Sequence, residues 1–205
     1  MEAGQQFNMK IKKIIFIYNV PISNKIIEDF YFNELLKGGF LLEYWDVSQI
    51  FFPKILNQDK LDCNYVRKFN SIKDFEVEVL KQVKDETLFN PLLAYNNMLS
   101  LRLFRILTKH KSITSFIARG SLPGPISELK NVFRFIISNN LFTVVNKIIS
   151  YLKNKILYIL KKLSFVKHYD YVFSSGKSGI TTIGVGSNID KLNSKLVQIN
   201  SFDYD

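Results

Sequence analysis

Residues 13–19 read Lys-Ile-Ile-Phe-Ile-Tyr-Asn, and residues 39–47 read Gly-Phe-Leu-Leu-Glu-Tyr-Trp-Asp-Val. A strand with one solvated face alternates apolar and polar side chains. An unbroken apolar run marks a strand covered on both faces, as in a parallel sheet. Between the two runs, Pro21 and Ser23-Asn24 give a loop and a helix cap. Ile26, Ile27, Phe30, Leu35 and Leu36 then follow with helical spacing, closed by Gly38-Gly39. Strand, helix and strand joined by short loops predict a βαβ unit.

The same reading extends along the chain. Cys63–Phe69 is a third strand, and Ser71 with Asp74 three residues later forms a capping box for a helix to Val83. Thr87–Phe89 is a fourth strand, Leu93–Lys109 a helix set up by Pro91, and Ile113–Ala118 a fifth strand ended by Arg119-Gly120. Tyr171–Ser174 reads as a further strand, Ile189–Leu196 as a short helix and Val197–Asn200 as the last strand. Strands alternating with helices predict a doubly wound, mostly parallel α/β sheet over residues 9–205, with Lys13–Asn19 and Tyr171–Ser174 central. Residues 1–8 are polar and read as a leader or tag remnant.

The net charge of +10 has one source. Leu129–Tyr169 holds no Asp or Glu across 41 residues but carries eight Lys or Arg, and the rest of the chain is nearly neutral, with 20 basic against 18 acidic residues. Within a helical region of about 126–167, Val145, Ile148, Leu152, Ile156, Ile159, Leu163 and Val166 recur at steps of three and four and share one face. Lys147 and Lys161 fall opposite that stripe, while Lys153, Lys155 and Lys162 flank it. An ordinary core-facing helix has the same periodicity. A solvated helix face usually mixes signs, however, and the lack of acids points to an anionic partner, most simply lipid headgroups at a membrane surface. Nucleic acid fits less well, because the aromatic residues here are scattered along a helix rather than set out as a stacking platform on strands.

Other chemistry is sparse. A lone Cys63 excludes an internal disulfide and a cysteine-rich metal centre, and fits a reducing cytoplasm. His110 and His168 are too few for a histidine metal cluster and are expected at the surface. The longest uncharged run of the basic region, Phe135–Asn146, is 12 residues, short of the roughly 18–20 needed to cross a bilayer. Ser174-Ser-Gly-Lys-Ser178 resembles a phosphate-binding loop but has Tyr171 where that loop needs its first glycine. It remains a Gly/Ser turn at a strand's carboxyl end, where parallel sheets bind ligands. Gly184-Val-Gly186 lacks the third glycine of a dinucleotide fingerprint. The carboxyl ends of the strands also carry Asn19, Asp46 and Arg119-Gly120. If the strands are parallel, these ends share one edge, and Asn19, Arg119, Gly120, Ser174, Ser175 and Gly176 become candidate substrate contacts. Asp46 is the candidate general base, and a turn-closing carboxylate explains it equally.

Residues 13–19 and 39–47, together with Tyr-Asp-Tyr-Val-Phe-Ser-Ser-Gly (169–176) and Ile-Asn-Ser-Phe-Asp-Tyr-Asp (199–205), resemble bacterial surface or capsular polysaccharide biosynthesis proteins, which look like glycosyltransferases of the GT-B fold. The resemblance is to their N-terminal half and spans most of residues 9–205. It implies a Rossmann-like, acceptor-side and membrane-facing domain, bound peripherally at the cytoplasmic face. It also implies a lipid-linked or saccharide acceptor, and a nucleotide-sugar donor held by a C-terminal domain that these residues do not include. No metal or cofactor is expected in this chain, and alone it is expected not to transfer sugar. The alternative is a non-catalytic α/β module docking on the membrane or on a partner of the polysaccharide machinery.

Overall fold

The computed structural model describes residues 11–54, 61, 63–93, 98–118, 145, 149, 152, 156, 159, 160, 163, 165–167, 169–174 and 195–198. The chain divides into two compact units, Met1–Leu93 with Ile106–Ser115, and Ala94–Arg105 with Phe116–Asp205.

The first unit is built on β1 (Lys13–Tyr18), β2 (Leu41–Asp46), β3 (Val66–Lys68), β4 (Thr87–Pro91) and β5 (Ile113–Ala118). Their order is β3-β2-β1-β4-β5, and every pairing is parallel. β1 is thus hydrogen-bonded on both sides, as its apolar run demands, and Ile15 and Ile17 are fully buried. Phe16 pairs in register with Tyr44, and Ile17 with Trp45. Successive side chains leave a strand on opposite faces, so these two pairs seed two cores. On one face α1 (Asn24–Asp29) and α2 (Phe32–Lys37) bring in Phe30 and Phe32, whose rings lie 5.5 and 4.7 Å from Phe16. On the other, α4 (Ile72–Leu80) sets Phe75 edge-on to Trp45 at 5.5 Å, with Phe69 at 5.0 Å and Phe89 at 5.7 Å. Helices covering both faces of a parallel sheet make this a doubly wound, Rossmann-like α/β fold, as the sequence predicts.

Local signals act as their chemistry requires. Ser71 accepts the Asp74 N–H at 3.1 Å and donates its hydroxyl to the Asp74 carboxylate at 2.7 Å, which caps α4. Gly39 takes φ +83° after α2, and the Phe40 and Gly39 amides bond back to the Leu35 and Leu36 carbonyls. That closure calls for a residue free to adopt positive φ. Glu43 joins Lys13 (2.7 Å) to Arg67 (3.2 Å), and Arg67 in turn meets Glu78 of α4, so an ion-pair chain reinforces the second core.

Three expectations are corrected. The single helix between β1 and β2 is two, because Tyr31 adopts φ 53° and thereby lets both Phe30 and Phe32 reach Phe16. A short helix α3 (Ser48–Phe51) follows β2, in a stretch to which the sequence assigns no element. Lys195 and Leu196 are strand rather than helix: β7 (Lys195–Gln198) pairs in parallel with β6 (Tyr171–Ser174) in the second unit. Ile189, Leu192 and Leu196 have helical spacing, but the backbone bonds offered by β6 decide the last of them.

Also in the second unit, the Arg105 Nη1 of helix α5 (Met98–Lys109) donates to the Phe165 carbonyl at 2.5 Å, with its guanidinium 4.2 Å from that ring's centre. Tyr169 is buried against Phe104 and Phe116, at 6.0 and 5.3 Å.

Candidate functional site

Because the strands are parallel, their carboxyl ends share an edge. Tyr18 and Asp46 are register partners, the Val47 amide donates to the Tyr18 carbonyl at 2.9 Å, and the Phe69 amide to that of Asp46 at 2.9 Å. Asn19, half-buried, leaves this edge directly after β1. The sheet thus brings Asn19 and Asp46 to neighbouring strand ends, as the sequence reading requires. Their partners in that reading, Arg119, Gly120, Ser175 and Gly176, lie outside the described residues, as does the Ser174 side chain. The same is true of Lys147, Lys153, Lys155, Lys161 and Lys162, of His168 and of residues 1–10.

Strand order marks where a ligand would enter. The chain moves from β1 to β2 on one side and from β4 to β5 on the other, so the switch point lies between β1 and β4. In such sheets the loops leaving the two strands at a switch point diverge, and the crevice between them is the usual ligand site. On the β1 side, the buried Tyr44 hydroxyl donates to the Val20 carbonyl at 2.6 Å and pins the loop. Burial, and then the nearby Asp46 carboxylate and Tyr18, push that hydroxyl far above the ordinary tyrosine range, so it stays a donor.

Asp46 is only 2% exposed, and its Oδ1 accepts the Ser48 amide at 2.8 Å, closing the turn into α3. The turn-residue alternative is thus present in the geometry. Asp46→Ala should lower stability by about 1–3 kcal/mol, because the buried Ser48 amide loses an acceptor. Asp46→Asn keeps an acceptor oxygen and should cost less than about 1 kcal/mol. Equal losses in urea titrations would mean that this hydrogen bond is not what the carboxylate contributes.

Asn90 and Ser115 were missed in the sequence. Asn90 is 3% exposed and Ser115 fully buried, and among the described residues neither the Asn90 Oδ1 nor the Ser115 Oγ has a hydrogen-bond partner. A buried polar group left without a partner costs about 1–3 kcal/mol. An Asn between Phe89 and Pro91 reads as the start of a loop. Only the extension of β4 to Pro91 places it inside the sheet.

His110 is corrected: it is 5% exposed rather than on the surface, and its Nδ1 lies 2.9 Å from the Ser112 hydroxyl, just before β5. Burial, and then the charge of Lys84, lower its pKa. The folded state therefore favours neutral imidazole. The stability this gives is full above the ordinary value of about 6.5 and is lost as pH falls through that value towards the folded pKa. Urea midpoints should fall between pH 7 and pH 5, and His110→Gln should flatten that slope. An unchanged slope in the variant would assign the acid sensitivity to other groups.

A groove of about 510 Å³ beside the edge strand β3 is lined by Arg67, Lys68, Lys73, Asp74 and Lys81, but two of its cations are already paired with Glu78. Among the described residues no cluster of three or more His, Cys, Asp or Glu could hold a metal ion.

These features define a Rossmann-like α/β domain whose strand order switches between β1 and β4. No protein-family model and no curated protein matches the chain. A solved structure, the Bordetella bronchiseptica enzyme WbmF in complex with NAD+, is similar at 11% identity and a TM-score of 0.38. The match covers 81% of this chain, which spans about half (49%) of that one.

Proposed function

We propose that this chain is the acceptor-side, membrane-facing domain of a glycosyltransferase in bacterial cell-surface polysaccharide biosynthesis, acting at the cytoplasmic face on a lipid-linked or saccharide acceptor. The sequence resemblance supplies the activity class, and one structural observation supports the membrane-facing role. Val145, Ile149, Leu152, Ile156 and Ile159 are helical and 43–57% exposed, and Leu163, just beyond them, is 72% exposed. At about 100° per residue these six positions fall within roughly 80° of arc. Val166, expected on the same stripe, is instead buried. An outward row of large aliphatic side chains implies a partner.

The charge pattern selects that partner. Spacing of four and three is also that of a coiled-coil seam, which would suit a second copy. In the sequence, the positions beside the seam are Asn146, Ile148, Lys153, Lys155, Leu160 and Lys162. No acid is available to pair with these lysines, so self-association gathers like charge. An anionic bilayer takes the apolar row into its acyl boundary and the lysines among its headgroups. No helix among the described residues is long and apolar enough to cross a membrane, so the contact would lie in the surface plane.

On this reading a second domain binds the nucleotide sugar, Asn19 and Arg119 meet the acceptor, and Asp46 takes the proton of the attacking hydroxyl. A non-catalytic docking module is the second reading, favoured by the burial of Asp46 and its engagement with Ser48. Flotation with phosphatidylserine vesicles at low salt tests the reading. The chain should float with them and not with purely zwitterionic ones, and a chain left behind in both cases removes the membrane-facing role. Sugar transfer at the wild-type rate by an Asp46→Asn variant carrying its donor-binding domain would favour the docking module or another base.

A further inference from the structure

We propose that Asn90 and Ser115 form the polar floor of a binding site for a neutral, hydroxyl-bearing ligand of the saccharide class. β4 and β5 pair in parallel with Leu88 opposite Ile113 and Phe89 opposite Thr114, and Asn90 and Ser115 are the next residues of the two strands. Neighbouring strands lie about 4.8 Å apart, and side chains in register leave the sheet on the same face. Two polar atoms without a hydrogen-bond partner among the described residues, each on a side chain more than nine-tenths buried, thus sit on adjacent strands directly after their paired positions. β4 ends at Pro91, one residue further on, so the pair lies next to the carboxyl edge of the sheet. It flanks the β1–β4 switch point, since Asn90 is also the register partner of Phe16.

The chemistry of the pair defines the ligand. Asn Oδ1 accepts, and a serine hydroxyl both donates and accepts, so together they match groups that do the same, namely neighbouring hydroxyls on one ring. On the same face their strand neighbours are Phe16, Leu88 and Ile113, none of them charged. A phosphate or carboxylate would find no cation among these, whereas a neutral sugar leaves no charge to compensate. An apolar pair of the same size would fill the sheet without unmet hydrogen bonds, so a polar pair here indicates something to bond.

The saccharide class rests on the acceptor reading above; the site itself does not. The test uses the full chain, with Ser115→Ala and Asn90→Leu, singly and together. Where a group lacks a protein partner, its removal should raise Tm by about 2–4 °C. A fall in Tm would mean that the groups are already bonded within the protein, which overturns the site. Saturation-transfer NMR with methyl α-D-glucoside, methyl α-D-galactoside and methyl N-acetyl-β-D-glucosaminide should show transfer to at least one in the wild type, and at least tenfold less in the double variant. No transfer in the wild type, or equal transfer in the variant, overturns the proposal. Equal transfer to glycerol overturns the saccharide class. Ser115→Ala removes one atom and keeps the test decisive if Asn90→Leu fails to fold. Vesicle flotation of the same variants separates the two ideas. Floating protein that binds no glycoside refutes this site alone, and glycoside binding without flotation refutes the membrane reading alone.

Discussion

Changing Lys153, Lys155, Lys161 and Lys162 together to Gln is expected to weaken binding to phosphatidylserine vesicles by roughly a thousandfold at low salt. Each lysine close to an anionic surface contributes about 1 kcal/mol, so four contribute about 4 kcal/mol. Every 1.4 kcal/mol is about a tenfold change in affinity. The apolar row is untouched in this variant, so a residue of binding should survive, weakly dependent on salt. The wild type should lose most of the same increment as ionic strength rises, because the screening length contracts from about 30 Å at 0.01 M to about 8 Å at 0.15 M. Vesicle sedimentation over a salt series checks both. Wild-type binding that ignores ionic strength would leave the apolar row as the whole contact and remove the role of the lysines. A variant that binds as tightly as the wild type would do the same.

Trp45→Ala is expected to lower stability by about 3–5 kcal/mol, the usual cost of removing a buried aromatic side chain. Trp45 is fully buried and touches the rings of Phe69, Phe75 and Phe89, so one side chain fastens α4 and the loop after β3 to the centre of the sheet. Its indole N–H also donates to Glu43 at 2.6 Å, and that carboxylate carries the ion pairs to Lys13 and Arg67. The truncation therefore opens a cavity and strips a hydrogen bond from a half-buried acid. Urea titration should show the midpoint falling with little change of slope. A loss under about 1 kcal/mol would mean that the second core closes over the gap, and that Phe75 and Phe89 suffice to hold α4.

The elements of the first unit were largely legible because their signals are local. The apolar run of β1 predicts two covered faces, and both Ile15 and Ile17 are buried. Ser71 and Asp74 cap α4 as their spacing predicts. Ile113–Ala118 is a strand at the boundaries read from the sequence. Where a signal depends on a distant partner, the sequence misleads. Tyr31 breaks a helix because two phenylalanines must both reach Phe16, and nothing within the segment announces that. His110, flanked by lysines, reads as a surface residue and is buried. The candidate site was legible in part. Parallel strands were enough to bring Asn19 and Asp46 to one edge, whereas Asn90 and Ser115 are 25 residues apart and come to neighbouring strands only through the pairing of β4 with β5.

By itself, then, the sequence determined that strands alternate with helices, that β1 lies inside a sheet, that one acid-free segment carries the net charge, and that its helix has an apolar stripe. These follow from periodicity, cap chemistry and composition, all written within a few residues. Tertiary structure alone decided the order β3-β2-β1-β4-β5, and with it the place of the switch point. It decided which polar groups are buried without partners. It also decided that the stripe from Val145 to Leu163 faces outward. A helix turned towards a core and one turned towards a membrane share the same 3.6-residue period, and only what packs against the helix distinguishes them.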